Sequence, residues 1–461
     1  MVTIVIGNNI NNLKKQAKDM TDIIIIGGGP GGYETALYAA ENGLTVTLFE
    51  KSHVGGTCLN CGCIPTKTLL HHAEILKNIR NGGDYGFENL TFTFNYAKVA
   101  ERKDSVISQL RKGIETLLAN PNITVVHGEA SFVNENTVIA EGKEYSARNI
   151  IIATGSTAKL LPIEGAGLEG VVTSTELLDV TEVPKRLCII GAGVIGMELA
   201  SCFSTFGSEV TVIEYLKECL PVLDSDIAKR LRKEIDATFY MQSAVSRIER
   251  NEDNSLRVVF SKKGKELYID ADMVLMATGR TANTASLNLE AAGVSVERGA
   301  ITVDDDMRSS IPNIFAIGDV NARCMLAHAA TMQGRHAINV LLEREDAIDL
   351  SIMPSAVFTL PEAASVGHSE DYCLENAIPY TCHKAYYRAN GKAVAMGETS
   401  GLVKILSEKE SGRIIGCHAF GAHAADMIQE VSVMMCSKVT IQQFRDMIHI
   451  HPTLGEVLHS I

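Results

Sequence analysis

Three cysteines and a lysine lie in one short stretch, residues 55–67, which reads GGTCLNCGCIPTK. A cysteine pair that cycles between disulfide and dithiol needs two neighbouring sulfurs, and a helix start or a nearby cation stabilises the thiolate. Cys58 and Cys63 could form such a pair. Pro65 favours the first turn of a helix, which would place its positive end near Cys63 and carry Lys67. The stretch therefore predicts thiol-disulfide redox chemistry.

Two other interpretations of this stretch are a set of buried thiols and a metal knuckle. Zinc sites usually combine two separated pairs of ligands, and no second cysteine pair of that kind follows in the sequence. The chain has eleven cysteines, and we expect most of them to be thiols in a reducing compartment rather than a disulfide framework. Four of them lie in apolar patterns that predict core packing: Cys188, Cys202, Cys417 and Cys436.

A dinucleotide-binding pattern begins near residue 22. The β-branched run from Asp22 to Ile26 predicts a buried parallel strand, and it leads directly into the turn GGGPGG. A helical pattern then runs from Tyr33 to Asn42, and a second strand follows. In such a unit the glycines let the backbone approach a pyrophosphate, and an acidic residue after the second strand binds ribose hydroxyls. The residues at these positions are Gly27, Gly29, Gly32 and Glu50.

The whole pattern occurs a second time. A strand over residues 187–190 enters the turn GAGVIG, a helix pattern spans residues 197–206, and a strand over residues 210–213 ends at an acidic residue. Each landmark lies 164 residues after its counterpart in the first unit. Because the strands, the helix and the acidic residue recur together with the glycines, a chance glycine-rich turn is a poor explanation. We therefore expect two nucleotide sites. The second set of landmarks is Gly191, Gly193, Gly196 and Glu214.

Two similar loops follow further short strands and mark the predicted domain edges. The first, ATGS, contains Thr154 and Gly155, and the second, ATGR, contains Gly279. Another buried strand ends at Asp319, whose carboxylate could accept hydrogen bonds from a polyol chain. A lone aspartate at a strand end is more often a helix cap, which is the alternative interpretation.

The composition of the 461-residue chain limits which partners and which cellular location we expect. A formal net charge of −13 with few basic runs argues against nucleic acid or an anionic membrane surface as the main partner. No apolar stretch is long enough to span a bilayer. Residues 1–19 lack both an apolar signal core and arginine, so we expect a cytoplasmic protein whose residues 1–20 form an extension without function.

Together these motifs resemble the flavin-dependent pyridine nucleotide-disulfide oxidoreductases. The resemblance rests on the stretch 55–67, the doubled nucleotide pattern, the strand end AIGD and the C-terminal HPT followed by Glu456, and it extends from about Thr21 to the last residues. It implies an α/β fold with two Rossmann-like dinucleotide-binding domains and a C-terminal α+β dimerisation domain. The implied segments are an N-terminal extension (1–20), an FAD-binding domain (21–156), an NAD-binding domain (157–282), a central segment that completes the FAD domain (283–352) and a dimerisation domain (353–461).

The resemblance also implies the cofactors. FAD would bind the first unit, with Glu50 at the adenosine ribose and Asp319 near the ribityl chain, and the second unit would bind the nicotinamide cofactor. Glu214 would repel a 2′-phosphate, which favours NAD over NADP. The full set of expected cofactor-binding residues is Gly27, Gly29, Gly32, Glu50, Lys67, Thr154, Gly155, Asp319, Gly191, Gly193, Gly196, Glu214 and Gly279.

The expected catalytic residues also come from the resemblance. By family match Cys63 faces the flavin and Cys58 exchanges with substrate. His451 serves as the base in the other subunit of a homodimer, oriented by Glu456. We also expect an ion pair between two further residues, Lys67 and Glu198. Without the family pattern, a C-terminal histidine would be read as a surface residue, which is the interpretation kept for His449, and Glu198 would lie on a solvated helix face.

Within the family the pattern is most similar to members that oxidise dihydrolipoamide with NAD. The chain has no additional C-terminal redox pair, and the implied partner is the lipoyl-bearing subunit of a 2-oxoacid dehydrogenase or glycine-cleavage system. The alternatives are a related enzyme acting on another small disulfide and a low-turnover, nucleotide-binding redox sensor. Cys61 stands where the family usually has a small apolar residue; it reflects either neutral substitution or a competing disulfide.

Overall fold

The computed structural model describes residues 20–461, so the predicted N-terminal extension lies outside the described residues except for Met20. The chain separates into two compact units. The first comprises the described residues up to Ile64, Ser105–Thr157 and Arg280–Leu350, and the second comprises Pro65–Asp104, Ala158–Gly279 and Ser351–Ile461. The division into five segments stays a prediction.

A largely parallel sheet forms the core of the first unit. Thr21–Ile26 lies between Val46–Glu50 and Lys143–Ile152, with Ile23 opposite Val46 on one side and Asn149 on the other. The isoleucines of this strand are nearly inaccessible to solvent, as expected of a strand covered on both faces. The sheet is completed by the parallel strands Ile123–His127 and Ile314–Ala316 and by the antiparallel strands Thr137–Ala140 and Ser131–Asn134.

Two helices of this unit cross at very short distance. Pro30–Glu41 begins at a proline, which suits the first helical position. A Cβ on Gly334, in helix Ala327–Leu341, would lie 1.8 Å from Thr35 Oγ1, so glycine is required there. The remaining elements are the helices Gly56–Cys61 and Leu289–Ala292, the 3-10 helix Gly318–Asn321, and the short strands Ser156–Ala158, Arg280–Ala282, Val296–Glu297 and Ala300–Ile301.

The second unit contains another parallel sheet, of five strands. Arg186–Ile190 lies between Glu209–Ile213 and Met273–Met276, which repeats the arrangement around Thr21–Ile26. The outer strands of this sheet are Thr238–Tyr240 and Val171–Val172, the helices are Ser174–Leu178, Val194–Phe206 and Ser225–Glu234, and a separate antiparallel sheet contains Ser243–Arg250, Leu256–Lys262 and Lys265–Ala271.

The C-terminal part of the second unit is an antiparallel sheet with helices, as the alternating texture of the sequence predicts. Its strand order is Ser355–Val357, Glu362–Gly367, Ile414–Gly421, Leu402–Glu408 and Tyr380–Tyr386. Its helices are Glu370–Glu375, Gly391–Met396, Ala424–Cys436, Ile441–Arg445 and Glu456–His459, with the 3-10 helix Tyr387–Ala389. The predicted fold class, two Rossmann-like parts and a C-terminal α+β part, is confirmed.

Two long helices, Cys63–Arg80 and Tyr96–Leu118, include residues of both units, and the 3-10 helix Gly82–Tyr85 lies between them in the sequence. The first begins at Cys63, two residues before the proline that predicted its start.

One cysteine prediction is wrong. Cys188, Cys202 and Cys417 are buried, but Cys436 is exposed at the end of its helix. Within residues 20–461, no helix is long and apolar enough to cross a membrane.

Candidate functional site

Cys58 and Cys63 form a disulfide with their Cα atoms 4.6 Å apart. Cys58 lies in the helix Gly56–Cys61, Cys63 is the first residue of the helix Cys63–Arg80, and the non-helical Gly62 between the two helices turns the sulfurs toward each other. The interpretations as buried thiols or a metal knuckle are wrong, because both cysteines are partly accessible and bonded to each other. We call the segment from Gly55 to Cys63 the redox loop.

The redox loop begins against the first glycine-rich turn. Gly55 and Gly56 both have positive φ, +92° and +54°. A Cβ on Gly56 would lie 2.6 Å from the Cα of Gly29, and the Gly55 N–H donates to the carbonyl oxygen of Gly28 over 2.8 Å. These two glycines therefore allow the disulfide to start beside the turn that the sequence predicts to hold a pyrophosphate.

The three glycines that the dinucleotide pattern singles out in the first turn are needed for different physical reasons. A Cβ on Gly27 would lie 2.3 Å from the carbonyl oxygen of Ala153, and one on Gly32 would lie 1.8 Å from that of Gly27. A Cβ on Gly29 would approach protein no closer than 3.8 Å. The space in front of Gly29 is therefore open, at the start of a twelve-residue helix whose N-cap has no side-chain acceptor. This arrangement fits a bound pyrophosphate.

The second turn repeats this division. A Cβ on Gly191 would lie 2.4 Å from the carbonyl oxygen of Ala277, and one on Gly196 would lie 2.0 Å from that of Gly191. A Cβ on Gly193 would have no atom within 4 Å. Gly193 is the N-cap of the helix Val194–Phe206 and likewise has no side-chain hydrogen bond there. Both glycine-rich turns thus present an open helix start to an anion.

The acidic residue after each second strand also holds its own glycine-rich turn. Glu50 Oε2 accepts the Gly28 N–H over 2.8 Å, and Oε1 accepts the Ser52 N–H over 2.8 Å. Glu214 forms the corresponding pair of bonds with the N–H groups of Ala192 (2.5 Å) and Leu216 (2.7 Å). Both carboxylates are buried. The sequence did not reveal this second role, since motif spacing alone does not show which backbone groups face a side chain.

A cavity of about 320 Å³ lies beside the end of the Glu50 strand. Ser52, His53 and His127 are among its lining residues, with Leu118 and Val125 supplying apolar surface. Its mixture of apolar walls and polar edge groups suits a flat heteroaromatic ring.

Asp319 belongs to a three-residue polar group. Ser156 Oγ donates to Asp319 Oδ2 over 2.5 Å, and Arg280 Nε donates to the same hydroxyl over 2.6 Å. The guanidinium lies 3.7 Å from the carboxylate. Ile317, not Asp319, is the N-cap of the 3-10 helix, so the helix-cap interpretation is wrong. Sequence reasoning missed Arg280, although it directly follows Gly279 in the ATGR loop.

The two ATGX loops have open glycines. Gly155 has φ +68° and Gly279 has φ +111°, and a Cβ on either would meet no atom within 4 Å. Thr154 Oγ1 donates to the carbonyl oxygen of Asn283 over 2.7 Å, which anchors its loop. A positive φ with free space around the glycine is compatible with close approach of a ligand.

Lys67 and Glu198 form the predicted ion pair. Lys67 Nζ lies 2.9 and 2.8 Å from the two carboxylate oxygens. The Glu198 side chain is only 5% exposed, so its interpretation as a solvated helix face is wrong, whereas Lys67 remains 33% exposed. Phe358, which the sequence did not reveal, donates its backbone N–H to Glu198 Oε1 (2.9 Å) and places its ring 4.6 Å from Lys67 Nζ.

His451 and Glu456 lie within hydrogen-bonding distance. His451 Nδ1 is 2.9 Å from Glu456 Oε1, and the Thr453 N–H donates to Glu456 Oε2 over 2.9 Å. These bonds, the backbone one foremost, lower the pKa of Glu456. With Nδ1–H donating to the carboxylate, a neutral imidazole keeps Nε2 as its proton acceptor. The His451 side chain is 80% exposed and therefore accessible from outside its own subunit.

His449 has a different environment from His451. Its side chain is 10% exposed, and Nε2 lies 3.0 Å from Glu430 Oε1. The interpretation of His449 as a surface residue is therefore wrong. It is a packed side chain, with its ring against that of Phe444.

Two family models cover nearly the whole chain. Residues 21–334 match the pyridine nucleotide-disulphide oxidoreductase model. Residues 353–460 match the dimerisation domain of the same group. The chain belongs to the pyridine nucleotide-disulphide oxidoreductase family. Enzymes of this family use FAD and NAD, and the second match supports a homodimer.

Relatives within the family are similar along almost their full length. The dihydrolipoyl dehydrogenase of Chlamydia trachomatis is 40% identical over 446 residues, which cover 95% of each chain. That of Bacillus subtilis is 38% identical and covers 95% of this chain and 94% of the relative. Among solved structures, the HOCl-induced flavoprotein disulfide reductase RclA from Escherichia coli superposes with a TM-score of 0.85 at 31% identity, covering 95% of this chain and 99% of that one.

Proposed function

We propose that this protein oxidises dihydrolipoamide to lipoamide and passes the electrons through the Cys58–Cys63 disulfide and FAD to NAD. The observation that carries the proposal is the disulfide itself, which starts against a glycine-rich nucleotide turn. Relatives named dihydrolipoyl dehydrogenase share 37–40% identity with the chain over 95% of its length. This long similarity favours lipoamide over other small disulfides.

Each cofactor is assigned to one glycine-rich turn. FAD binds at Gly29, with Glu50 at its adenosine ribose and Asp319 at its ribityl chain. NAD binds at Gly193, beside Glu214. FAD, when bound, accepts two electrons from a dithiol and donates them as hydride to the nicotinamide. The segments given above, 21–156 with 283–352 for FAD, 157–282 for NAD and 353–461 for dimerisation, are part of this proposal.

The thiol exchange runs through Cys58. His451 of the other subunit takes the proton of one substrate thiol, and Glu456 holds its imidazole in the required orientation. The resulting thiolate attacks Cys58 Sγ, forms a mixed disulfide and releases Cys63 as a thiolate. The sulfur of the second substrate thiol then attacks the substrate sulfur of that mixed disulfide, displaces Cys58 as the leaving group and gives its proton to the Cys58 sulfur. Lipoamide leaves with its ring disulfide closed, and Cys58 and Cys63 hold the two electrons.

Lys67 is proposed as the cation that favours the reduced, anionic flavin. Its partner Glu198 holds the ammonium in position through contacts with both carboxylate oxygens. Cofactor contacts are also proposed at Thr154, Gly155 and Gly279, because the glycines of these two loops face open space.

NAD is proposed as the acceptor rather than NADP. Glu214 ends the second strand of its unit and is held by two backbone N–H groups, so its negative charge is fixed where a ribose would lie. The 2′-phosphate of NADP would be repelled by that carboxylate. Comparing kcat/KM for the two nucleotides tests this assignment, and a preference for NADP would contradict it.

The proposed partner is the lipoyl-bearing subunit of a 2-oxoacid dehydrogenase or glycine-cleavage system, and the proposed location is the cytoplasm. Nine of the eleven cysteines, all of which lie in the described part of the chain, are not part of a disulfide. Cysteines outside disulfides in that number suit a reducing compartment.

One set of assays tests the activity. The holoenzyme is given dihydrolipoamide with NAD, and in parallel NADPH with glutathione disulfide or coenzyme A disulfide. We expect turnover with dihydrolipoamide and NAD, and loss of that turnover in Cys58→Ser. Faster turnover of glutathione disulfide or coenzyme A disulfide would show that this disulfide, and not lipoamide, is the substrate. FAD binding without turnover of any substrate would favour a redox sensor.

A further inference from the structure

Asn60, in the redox loop, makes an unusual number of hydrogen bonds. Its Nδ2 donates to the carbonyl oxygens of Val54 (3.1 Å) and Gly56 (2.9 Å), with that of His53 at 3.4 Å. Its Oδ1 accepts two bonds from Arg111, from Nε over 3.0 Å and from Nη2 over 2.6 Å. The carboxamide therefore connects a cation on the helix Tyr96–Leu118 to the backbone at the start of the redox loop.

The redox loop depends on such outside contacts for its position. Its helix, Gly56–Cys61, has only six residues, which is far below the length at which a helix is stable by itself. It is bounded by glycines, Gly55 and Gly62, whose backbones are the least restricted of all residues. Cys58 is consequently placed by tertiary contacts rather than by the helix.

The guanidinium of Arg111 forms its hydrogen bonds with the side-chain amide of Asn60. Among residues 20–461, no carboxylate forms an ion pair with Arg111, although the side chain is half-buried. A guanidinium that donates twice to one amide oxygen polarises the amide and strengthens the hydrogen bonds of its N–H groups. The two bonds from Arg111 and the bonds to Val54 and Gly56 therefore act as one connected set.

We propose that Arg111 and Asn60 are positioning residues that hold Cys58 for exchange with the dithiol, Arg111 acting through Asn60. The inference rests on the proposed function, since it names further residues that serve the same disulfide. Displacing a reacting atom by about 1 Å costs a reaction up to about 100-fold in rate. Loss of either side chain therefore slows the dithiol-disulfide step and leaves electron transfer that bypasses the disulfide unchanged.

The test compares two activities of the FAD-loaded dimer. The first is the single-turnover rate at which dihydrolipoamide, or dithiothreitol as a simple dithiol, reduces the disulfide. The second is NADH-driven reduction of ferricyanide, which takes electrons from the flavin without the disulfide. The variants are Arg111→Met, Asn60→Leu, their combination, and Arg111→Lys. Lys112→Met is the matched control, because it removes the neighbouring, exposed cation without touching Asn60.

We expect Arg111→Met and Asn60→Leu each to lower the dithiol rate by about tenfold or more, with ferricyanide turnover within about twofold of wild type. The combined variant equals Asn60→Leu, because Arg111 acts only through that amide. Arg111→Lys restores part of the rate, and Lys112→Met has no effect. FAD content is measured on each sample.

Three results would overturn the proposal: an unchanged dithiol rate in Arg111→Met, an equal fall of both activities, or additive losses in the combined variant. Where Arg111→Met does not retain FAD, Arg111→Lys decides by the same comparison. Failure of the proposed function looks different. In that case the wild type reacts with dithiothreitol but not with dihydrolipoamide, and the dithiothreitol rates of the variants still decide the role of Arg111.

Discussion

At the scale of single residues, the Lys67–Glu198 pair shows how a charge is kept in a mostly buried place. The carboxylate is almost fully covered and has three hydrogen-bond donors within 2.9 Å, two contacts from Lys67 Nζ and the N–H of Phe358. Taking such a group out of water is costly unless both of its oxygens accept hydrogen bonds and its charge is paired. Lys67 supplies the paired charge and contacts both oxygens, and Phe358, from a distant part of the chain, adds a backbone N–H to Oε1.

We expect Glu198→Gln to lower the free energy of unfolding by about 1–3 kcal/mol, because the half-buried ammonium loses its countercharge while the amide keeps the Phe358 bond. Urea denaturation measures the loss. Glu74→Gln is the control, since its pair with His71 is exposed on both sides and should contribute less than about 0.5 kcal/mol. Equal effects of the two variants would contradict a special role for the buried pair.

Cys61 is the third thiol of the redox loop, and the structure pairs the other two directly. We expect Cys61→Val to leave both the potential of the flavin-disulfide pair and the rate of inactivation by peroxide unchanged. Redox titration and timed peroxide exposure measure the two quantities. A shift in either would show that Cys61 forms a competing disulfide.

At the scale of elements, each glycine-rich turn contains glycines of two kinds. Gly191 and Gly196 avoid collisions with backbone carbonyl oxygens of the protein itself, whereas Gly193 faces open space. The same split holds for the first turn. The fold thus requires the outer glycines, and the proposed ligand requires the middle one.

We expect Gly193→Ala to fold normally and keep its FAD, but to raise KM for NAD by about tenfold or more, because a Cβ would occupy the space of the pyrophosphate. Gly196→Ala should instead destabilise the protein, since its Cβ would lie 2.0 Å from the carbonyl oxygen of Gly191. Steady-state kinetics and thermal melting separate the two effects. An unchanged KM in Gly193→Ala would remove the proposed NAD contact.

A buried charged cluster in the second unit joins helix Ser225–Glu234 to the C-terminal sheet. Lys404 Nζ lies 2.7 Å from each carboxylate oxygen of Asp224 and also contacts Glu370. His418 Nδ1 accepts the Asp224 N–H over 3.1 Å, and its Nε2 has no hydrogen-bond partner among the described residues. Burial lowers the pKa of His418 to about 4, with Asp224 opposing and Lys404 adding to the effect.

The lowered pKa makes stability depend on pH. The unfolded state takes up a proton on this histidine near pH 6.5 and the folded state only near pH 4, so the folded state loses stability as the pH falls between these values. We expect His418→Asn, which keeps an acceptor for the Asp224 N–H, to remove on the order of 3 kcal/mol of that loss. Urea denaturation at several pH values measures it, with His423→Asn as an exposed control. Parallel pH profiles of wild type and His418→Asn would refute the assignment.

At the scale of the whole molecule, the proposed site needs two copies of the chain. Residues 353–460 match a dimerisation domain, and His451 is largely exposed at its C-terminal end. The exposed apolar side chains of Ile448 and Ile450 lie in the same segment. A base that is accessible from outside and next to apolar surface suits a shared active site.

Mixing two inactive homodimers tests the sharing. Cys58→Ser lacks the exchanging sulfur, and His451→Gln lacks the base. If His451 serves the other subunit, random exchange yields heterodimers with one intact site, and activity rises to about one quarter of wild type. Activity assays before and after subunit exchange measure the recovery. No recovery, with heterodimers demonstrated by native mass spectrometry, would place His451 in its own subunit's site.

The sequence alone predicted the two glycine-rich turns, their strands and the Cys58–Cys63 and Lys67–Glu198 pairs. The strands and turns could be predicted from local patterns, because an apolar run followed by glycines is visible within a few residues of sequence. Cys58 and Cys63 were a candidate pair from the cysteine-rich stretch itself, whereas the pair of Lys67 with Glu198 was implied by the family resemblance. The helix expected from Pro65 is confirmed: it begins at Cys63, which places the proline in its first turn, where it is tolerated.

Tertiary structure alone decided which distant groups meet. Phe358 beside Glu198, Arg280 beside Asp319 and Arg111 on Asn60 have no signal in the local sequence, since each contact joins residues that lie far apart in the chain. Burial of His449 and exposure of Cys436 were likewise decided by how their elements pack. Residue types and spacing determined the chemistry available to the chain, because a redox disulfide needs cysteines and a pyrophosphate needs glycines. The direction of each side chain and its partners depended on packing between segments, which local sequence does not encode.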